Sequence, residues 1–342
     1  MKTLYFYIGL PTTSETSLQF FLRKNKEVLA QNGIGIPDVP SIVYSFIDHV
    51  LYDEDDSGMM IENTLTKEAD FDESPDLKDN RRAQRLEFLH ACVNKFDKTI
   101  LIDTKFFHFA FQLRAVENMR KMLLNINPNI EIKVVVFLRR QDRYLHSLYI
   151  HRVISGIEHR TFGEFTEFIG EKNYLDYNTV LLHLEQTFGK DNVIVRLYNE
   201  TSENIANSFF EAIDVKIPDT AKPILTKLNT NMPIDEVETK RILNMVTKGC
   251  SMMFLNKELS HRAKLYTAMS AVPYKSFLPE PQLKSMIRFY RKSNNEIADR
   301  HFGRSDLFDL SDIDHLEYDL YPSSDRALSI LSNMVKQTNK RY

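Results

Sequence analysis

The side chains of this sequence best suited to gripping an anion are a run of hydroxyls near its start and two cations further on. Thr12, Thr13 and Ser14 fall between an apolar β-rich run at 4–8, which stops at Gly9, and a helical pattern that begins after Glu15 and opens with Thr16 and Ser17. A loop that turns a strand into a helix aims unpaired backbone N–H groups and the positive end of the helix dipole at one point. Phosphate or sulfate suits that point, and hydroxyls add donors to it. The same residues have a plainer reading, because Thr12 and Glu15 are spaced as a capping box that satisfies the helix end internally. The Gly-x-x-x-x-Gly-Lys-Ser/Thr pattern of nucleoside triphosphatases is missing, so no lysine follows the loop.

Arg139 ends a β-branched run at 131–138, and Ser147, eight residues later, falls two turns into the next helical segment. An arginine fork and a hydroxyl so placed can converge on one phosphate. By itself the Arg139-Arg140 pair is a solvated strand end. Lys105 follows the run 98–103 at the end where open parallel sheets bind ligands, although a surface lysine there is equally ordinary. His49 shares a helical face with Phe46, Ile47, Val50 and Leu51, where a lone histidine is a structural residue unless something else marks it.

The elements that must position these residues alternate. Strand runs at 4–8, 34–36, 98–103, 131–138 and 193–198 are separated by helical patterns, among them 81–96, 111–125, 141–154 and 177–188. Alternation of this kind predicts right-handed crossovers and a parallel sheet with both faces covered. Beyond Thr201 the strands run out, and 204–213, 237–247 and 282–302 read as helices. The expected fold is α/β, a P-loop-like parallel β-sheet of about five strands flanked by helices, with a mainly helical C-terminal third. In domain terms, 1–200 form the nucleotide-binding core and 201–342 a helical part of the same domain. The acidic, polar stretch 53–79 reads as a surface loop.

With 43% hydrophobic and 27% charged residues, the 342-residue chain can bury a sizeable core, and general disorder is excluded. A net charge of −3 gives no nucleic-acid signature. Cys92 and Cys250 lie far apart without a partner motif, which points to buried thiols in a reducing compartment and to no metal site. No apolar run reaches the roughly 18 residues of a membrane span, so a cytoplasmic protein without a transmembrane segment is expected.

Taken together, these segments resemble the bacterial carbohydrate sulfotransferases that use 3'-phosphoadenosine 5'-phosphosulfate (PAPS). Tyr7-Ile8-Gly9 through Thr16-Ser17-Leu18-Gln19 resembles the loop that holds the donor's 5' end, and the segment 32–37 is similar to the Gly-Ile-Pro segment that follows it. Phe137-Leu138-Arg139-Arg140-Gln141-Asp142 with Ser147-Leu148-Tyr149 looks like the family's 3'-phosphate site. Leu175-Asp176-Tyr177, Phe188-Gly189, Val195-Arg196 with Tyr198, and the segment 293–303 resemble later landmarks in the same order. The resemblance implies that Thr12, Thr13, Ser14, Thr16, Ser17, Arg139, Ser147 and Tyr198 bind the donor. It also raises His49 to an acceptor-side base, since histidine titrates near neutral pH.

One departure bears on chemistry. In the family the donor loop carries a lysine where Thr12 stands, and Glu15 adds a carboxylate nearby. Two like charges at about 4 Å and an effective dielectric of about 20 repel by about 4 kcal/mol, which is roughly three powers of ten in donor affinity. Lys105, in an unusual Asp103-Thr104-Lys105 segment, would restore the missing charge from the neighbouring strand. Two functions follow: transfer of a sulfuryl group from PAPS to a hydroxyl or amine of a glycan or glycolipid precursor, or an inactive descendant that binds nucleotide, glycan or a partner protein. A nucleoside-triphosphate kinase is the poorest fit, because the lysine and its following Ser/Thr are missing.

Overall fold

The computed structural model describes residues 2–10, 15–37, 75–198, 205–223, 234–246 and 275–318. The expected helical face around His49 and residues 53–74 of the acidic stretch lie outside them. The chain divides into two compact units, one of residues 1–139 and 176–226, the other of 140–175 and 227–342.

The first unit is built on five parallel strands, β1 (Thr3–Tyr7), β2 (Ile34–Gly35), β3 (Lys98–Ile102), β4 (Glu131–Leu138) and β5 (Val193–Leu197), in the order β2-β3-β1-β4-β5. Helices α1 (Glu15–Lys24) and α2 (Lys26–Gln31) connect β1 to β2, and α3 (Pro75–Lys95) leads into β3. Helices α4 (Phe106–Phe109) and α5 (Leu113–Ile126) lead to β4. Helix α8 (Tyr177–Phe188) precedes β5, and α9 (Ile205–Ala212) follows it.

β1 reads as a continuous apolar run because both its faces are covered. Tyr5 and Tyr7, with Ile100, Ile102, Val135 and Phe137, meet Leu18, Phe21 and Leu22 of α1 and Phe209 and Phe210 of α9. On the opposite face Phe6 packs on Phe106, with ring centroids 5.6 Å apart. Tyr7 is fully buried and stands edge-on to Phe137 and Phe209, each 5.6 Å away. That ring explains Gly9, where a Cβ would lie 2.5 Å from the Tyr7 hydroxyl and 2.6 Å from Cζ.

The sequence reading differs from the structure at helix ends and short helices. Pro75–Asp79, read as part of a loop, are the first turn of α3, where proline at the first position lacks only an N–H that would be unpaired anyway. α4 is too short to carry a periodic signal.

In the second unit, α6 (Gln141–Ile154) packs against α10 (Ile234–Val246) and α11 (Glu280–Phe302), with α7 (Phe162–Glu171) beside it. Thr161 and Glu164 make a complete capping box at α7: Glu164 N–H donates to Thr161 Oγ1 at 3.3 Å and Thr161 N–H to Glu164 Oε2 at 2.7 Å. Two two-residue strands, β6 (Lys275–Ser276) and β7 (Glu317–Tyr318), pair in parallel.

Candidate functional site

β1 and β4 are neighbours whose outgoing connections run to opposite sides of the sheet, the first to β2 and the second to β5. In open α/β sheets ligands bind at such a switch point, outside the carboxyl ends of the strands. The backbone fixes which residues stand there. Tyr7 is level with Ile102 on β3 and Val135 on β4. The chain then stays on β4: Ile8 N–H donates to Val135 O at 3.0 Å and Leu10 N–H to Phe137 O at 3.4 Å. Leu10 is thus level with the end of β4, where Arg139 is the next residue beyond Leu138. β3 turns away earlier, with Asp103 N–H donating to Tyr7 O at 2.9 Å.

Arg139 is half-buried, and its Cζ lies 5.4 Å from the centre of the Tyr198 ring. Tyr198 continues the β4–β5 ladder by one residue, donating its N–H to Leu138 O at 2.7 Å. Its ring packs against the core face that includes α1, so the guanidinium is held on the face of the sheet from which the hydroxyl-bearing helix rises.

Lys105 is also half-buried, at the carboxyl end of β3. Asp103 organises that end: its Oδ1 accepts from Phe106 N–H at 3.3 Å, the carboxylate is 1% exposed, and the turn it closes starts α4 with Lys105 in αR conformation. Two strand spacings separate β3 from β4, about 10 Å. One cation therefore stands on each side of β1's exit. The capping role of Asp103 is a feature the sequence reading missed, although an aspartate three residues before an apolar Phe-Phe-His-Phe stretch carries that signal.

The other expected site residues divide. Thr12, Thr13, Ser14 and His49 lie outside the described residues. Thr16 and Ser17 are in the first turn of α1, and Ser17 is 9% exposed, buried with the core-facing Leu18. Ser147 is half-buried on α6, in the second unit.

Arg140 corrects the expectation of a solvated arginine pair. It is buried, with Nε donating to Asp142 Oδ1 at 2.7 Å, Nη2 to Asp142 Oδ2 and Asp312 Oδ2 at 3.0 Å each, and Nη1 to Asp309 O at 2.9 Å. Arg143 adds a bond of 2.6 Å to Asp312 Oδ2. Burial alone would lower the Arg140 pKa, but the two carboxylates outweigh it and raise it. Burial likewise pushes Asp312 up, while the hydrogen bonds from Arg140 and Arg143 prevail and hold it below the usual carboxylate range. Arg140 is a structural clamp of the second unit.

Among the described residues, no group of three or more His, Cys, Asp or Glu side chains is placed to hold a metal ion, and no helix is long and apolar enough to cross a membrane. No family model matches the chain. An uncharacterized protein of Archaeoglobus fulgidus is 26% identical over 203 residues, which cover 55% of this chain and 54% of the relative. The chain thus spans about half the length of that curated relative. Among solved structures, the crystal structure of a sulfotransferase from Alicyclobacillus acidocaldarius is similar over 72% of this chain and 94% of that one, with a TM-score of 0.37 and 14% identity. That likeness is distant, and the chemistry of the site is read from the residues at the carboxyl edge.

Proposed function

We propose that the chain is a sulfotransferase that moves a sulfuryl group from PAPS to a hydroxyl or amine of a glycan or glycolipid precursor. The observation that carries this reading is the alignment of the β1 exit with Arg139 at the switch point of the sheet. Donor and leaving group are anions, and the edge presents a guanidinium, a lysine and the start of a helix. In the reaction an acceptor oxygen or nitrogen attacks sulfur in line and the bond from sulfur to the phosphate oxygen breaks. A base takes the acceptor proton, and the protein supplies position and charge stabilisation for the departing bisphosphate.

In this assignment Arg139 and Ser147 hold the 3'-phosphate, the hydroxyls of 12–17 and the loop backbone hold the 5' end, Lys105 offsets charge on the leaving oxygen, and His49 is the base. The resemblance in sequence supports the roles of Ser147, His49 and the loop. A cytoplasmic setting belongs to the same reading.

Calorimetry with adenosine 3',5'-bisphosphate tests the assignment. Micromolar binding that falls about 100-fold in Arg139→Ala supports it, since a bidentate charge-assisted pair is worth roughly 3 kcal/mol. No binding to folded wild-type protein rejects it. Radiolabelled PAPS with glycan acceptors then reads turnover.

A second reading, nucleotide binding without transfer, is favoured by one observation. α1 begins at Glu15, so a carboxylate-bearing residue opens the helix whose positive end would face the donor. Binding of the bisphosphate together with no label transfer to any glycan, glycolipid or amine acceptor would select it.

A further inference from the structure

Along α11 the cations are treated in two ways. Lys284 is paired with Glu280 Oε1 and with Asp314 Oδ1, at 2.8 Å each. One turn later Arg288, Arg291 and Lys292 are exposed and, among the described residues, make no side-chain hydrogen bond or ion pair. Their spacings of three and four residues make them neighbours on one helix face, where like charges repel. Phe289, beside them, is 73% exposed, more than any other large apolar side chain among the described residues.

With Asn295, Glu296 and Asp299, the three cations line an open depression of about 600 Å³. All six residues lie on α11, so the lining runs for about 17 Å along the helix. The sign of charge changes along it, with the cations toward the N-terminal end and the carboxylates toward the C-terminal end.

Guanidinium and ammonium groups only donate, and they suit sulfate or carboxylate; carboxylates only accept, and they suit hydroxyl donors. An anionic bilayer and a nucleic-acid backbone are negative throughout and would set phosphates against Glu296 and Asp299. A sugar chain bearing acid groups supplies both kinds of partner from one molecule. Its anions meet the arginines and the lysine, its hydroxyls meet the carboxylates, and the apolar face of a ring can cover Phe289.

We propose that this face of α11 binds an acidic oligosaccharide, one whose sugars carry sulfate or carboxylate groups. The inference rests on the sulfotransferase reading only in taking this ligand for an acceptor or product of the reaction; the binding itself stands on α11. Exposed ion pairs are weak singly and are screened beyond about 8–10 Å, so affinity comes from several together and falls as salt rises.

The test is calorimetry at low salt with a chondroitin sulfate hexasaccharide, an alginate hexasaccharide and neutral maltohexaose, with circular dichroism as the check of folding. At least one of the acidic sugars is expected to bind, and the neutral one roughly tenfold more weakly or not at all. The triple variant Arg288→Ser/Arg291→Ser/Lys292→Ser should lose about ten- to 100-fold in affinity, since one exposed pair is worth up to about fivefold. Single serine variants replace it if it does not fold. A control, Lys98→Ser/Lys190→Ser/Lys216→Ser, removes the same charge from exposed positions elsewhere and should bind as wild type does. Equal loss in both triples overturns the proposal, because it marks attraction to net charge alone. It is also overturned if folded wild-type protein binds neither acidic sugar, if it binds maltohexaose equally well, or if the α11 variants bind unchanged. Vesicles containing phosphatidylserine and a single-stranded oligonucleotide run in parallel; binding of either through the α11 cations, with none of the sugars, assigns the face to a membrane or to nucleic acid instead. Protein that binds acidic sugars through α11 but not adenosine 3',5'-bisphosphate keeps this site and loses the sulfotransferase assignment, and the opposite pattern loses this site alone.

Discussion

Arg139 and Arg140 are adjacent in sequence and opposite in use. One guanidinium lies over a tyrosine ring at the switch point, and the other is enclosed by Asp142 and Asp312. Asp142 is a local partner of Arg140, but Asp312, which completes the enclosure, is 172 residues away in sequence from the arginine it binds. Lys105 shows the same limit from the other side. Its strand-end position was legible, while the Asp103 turn that sets its backbone was not. If Lys105 replaces the lysine missing from the donor loop, it acts on charge that develops as the leaving oxygen departs. Lys105→Ala should then lower the rate of radiolabel transfer by about 100- to 1,000-fold, the usual effect of removing one such stabiliser, with an unchanged circular dichroism spectrum. Transfer at the wild-type rate would remove Lys105 from the reaction and return it to an ordinary surface lysine.

At the scale of elements, the central strands are legible because a parallel strand covered on both faces needs apolar residues without interruption, and residues 4–8, 100–102 and 134–138 supply them. Crossovers then follow from alternation. The misses are helices that open on a polar contact: α4 follows the turn closed by the Asp103 carboxylate, and α7 starts at the Thr161–Glu164 capping box. The same Thr-x-x-Glu spacing occurs in the sequence at Thr12 and Glu15, where a capping box would compete with anion binding for the helix end. At α7 the box is made, and Glu164 is held below the usual carboxylate range by the Thr161 N–H and hydroxyl. Thr161→Ala should cost about 1 kcal/mol in urea unfolding, the typical value of an N-cap. A loss near zero would mean that α7 is held by its apolar face, Phe165 and Ile169, without help from its cap.

At the scale of the whole molecule, the second unit carries a polar stripe where its helices meet. Glu236, Lys240 and Asn244 recur every four residues on the buried face of α10, which packs on α6. Asn244 is satisfied by Val153 O and Glu158 O at 2.8 Å each, and it accepts from Lys240 Nζ at 2.7 Å. Lys240 is 1% exposed, and burial lowers its pKa from the ordinary lysine value to about 8. Below pH 8 the ammonium is charged in both folded and unfolded chains, and the folded state bears its desolvation. Between about pH 8 and pH 10 the unfolded chain binds more protons than the folded one, so stability must rise with pH by an amount on the order of 2–3 kcal/mol. Above about pH 10 the sign reverses, because burial raises the pKa of Tyr144 and Tyr149, and the unfolded chain then loses protons that the folded one keeps. Thermal unfolding followed from pH 7 to 11 should therefore show a maximum near pH 10, and Lys240→Met should abolish the rise while leaving the fall. A midpoint that is flat or decreasing across pH 8 to 10 in the wild type would show that Lys240 keeps its proton in the folded state and that Asn244 compensates its burial.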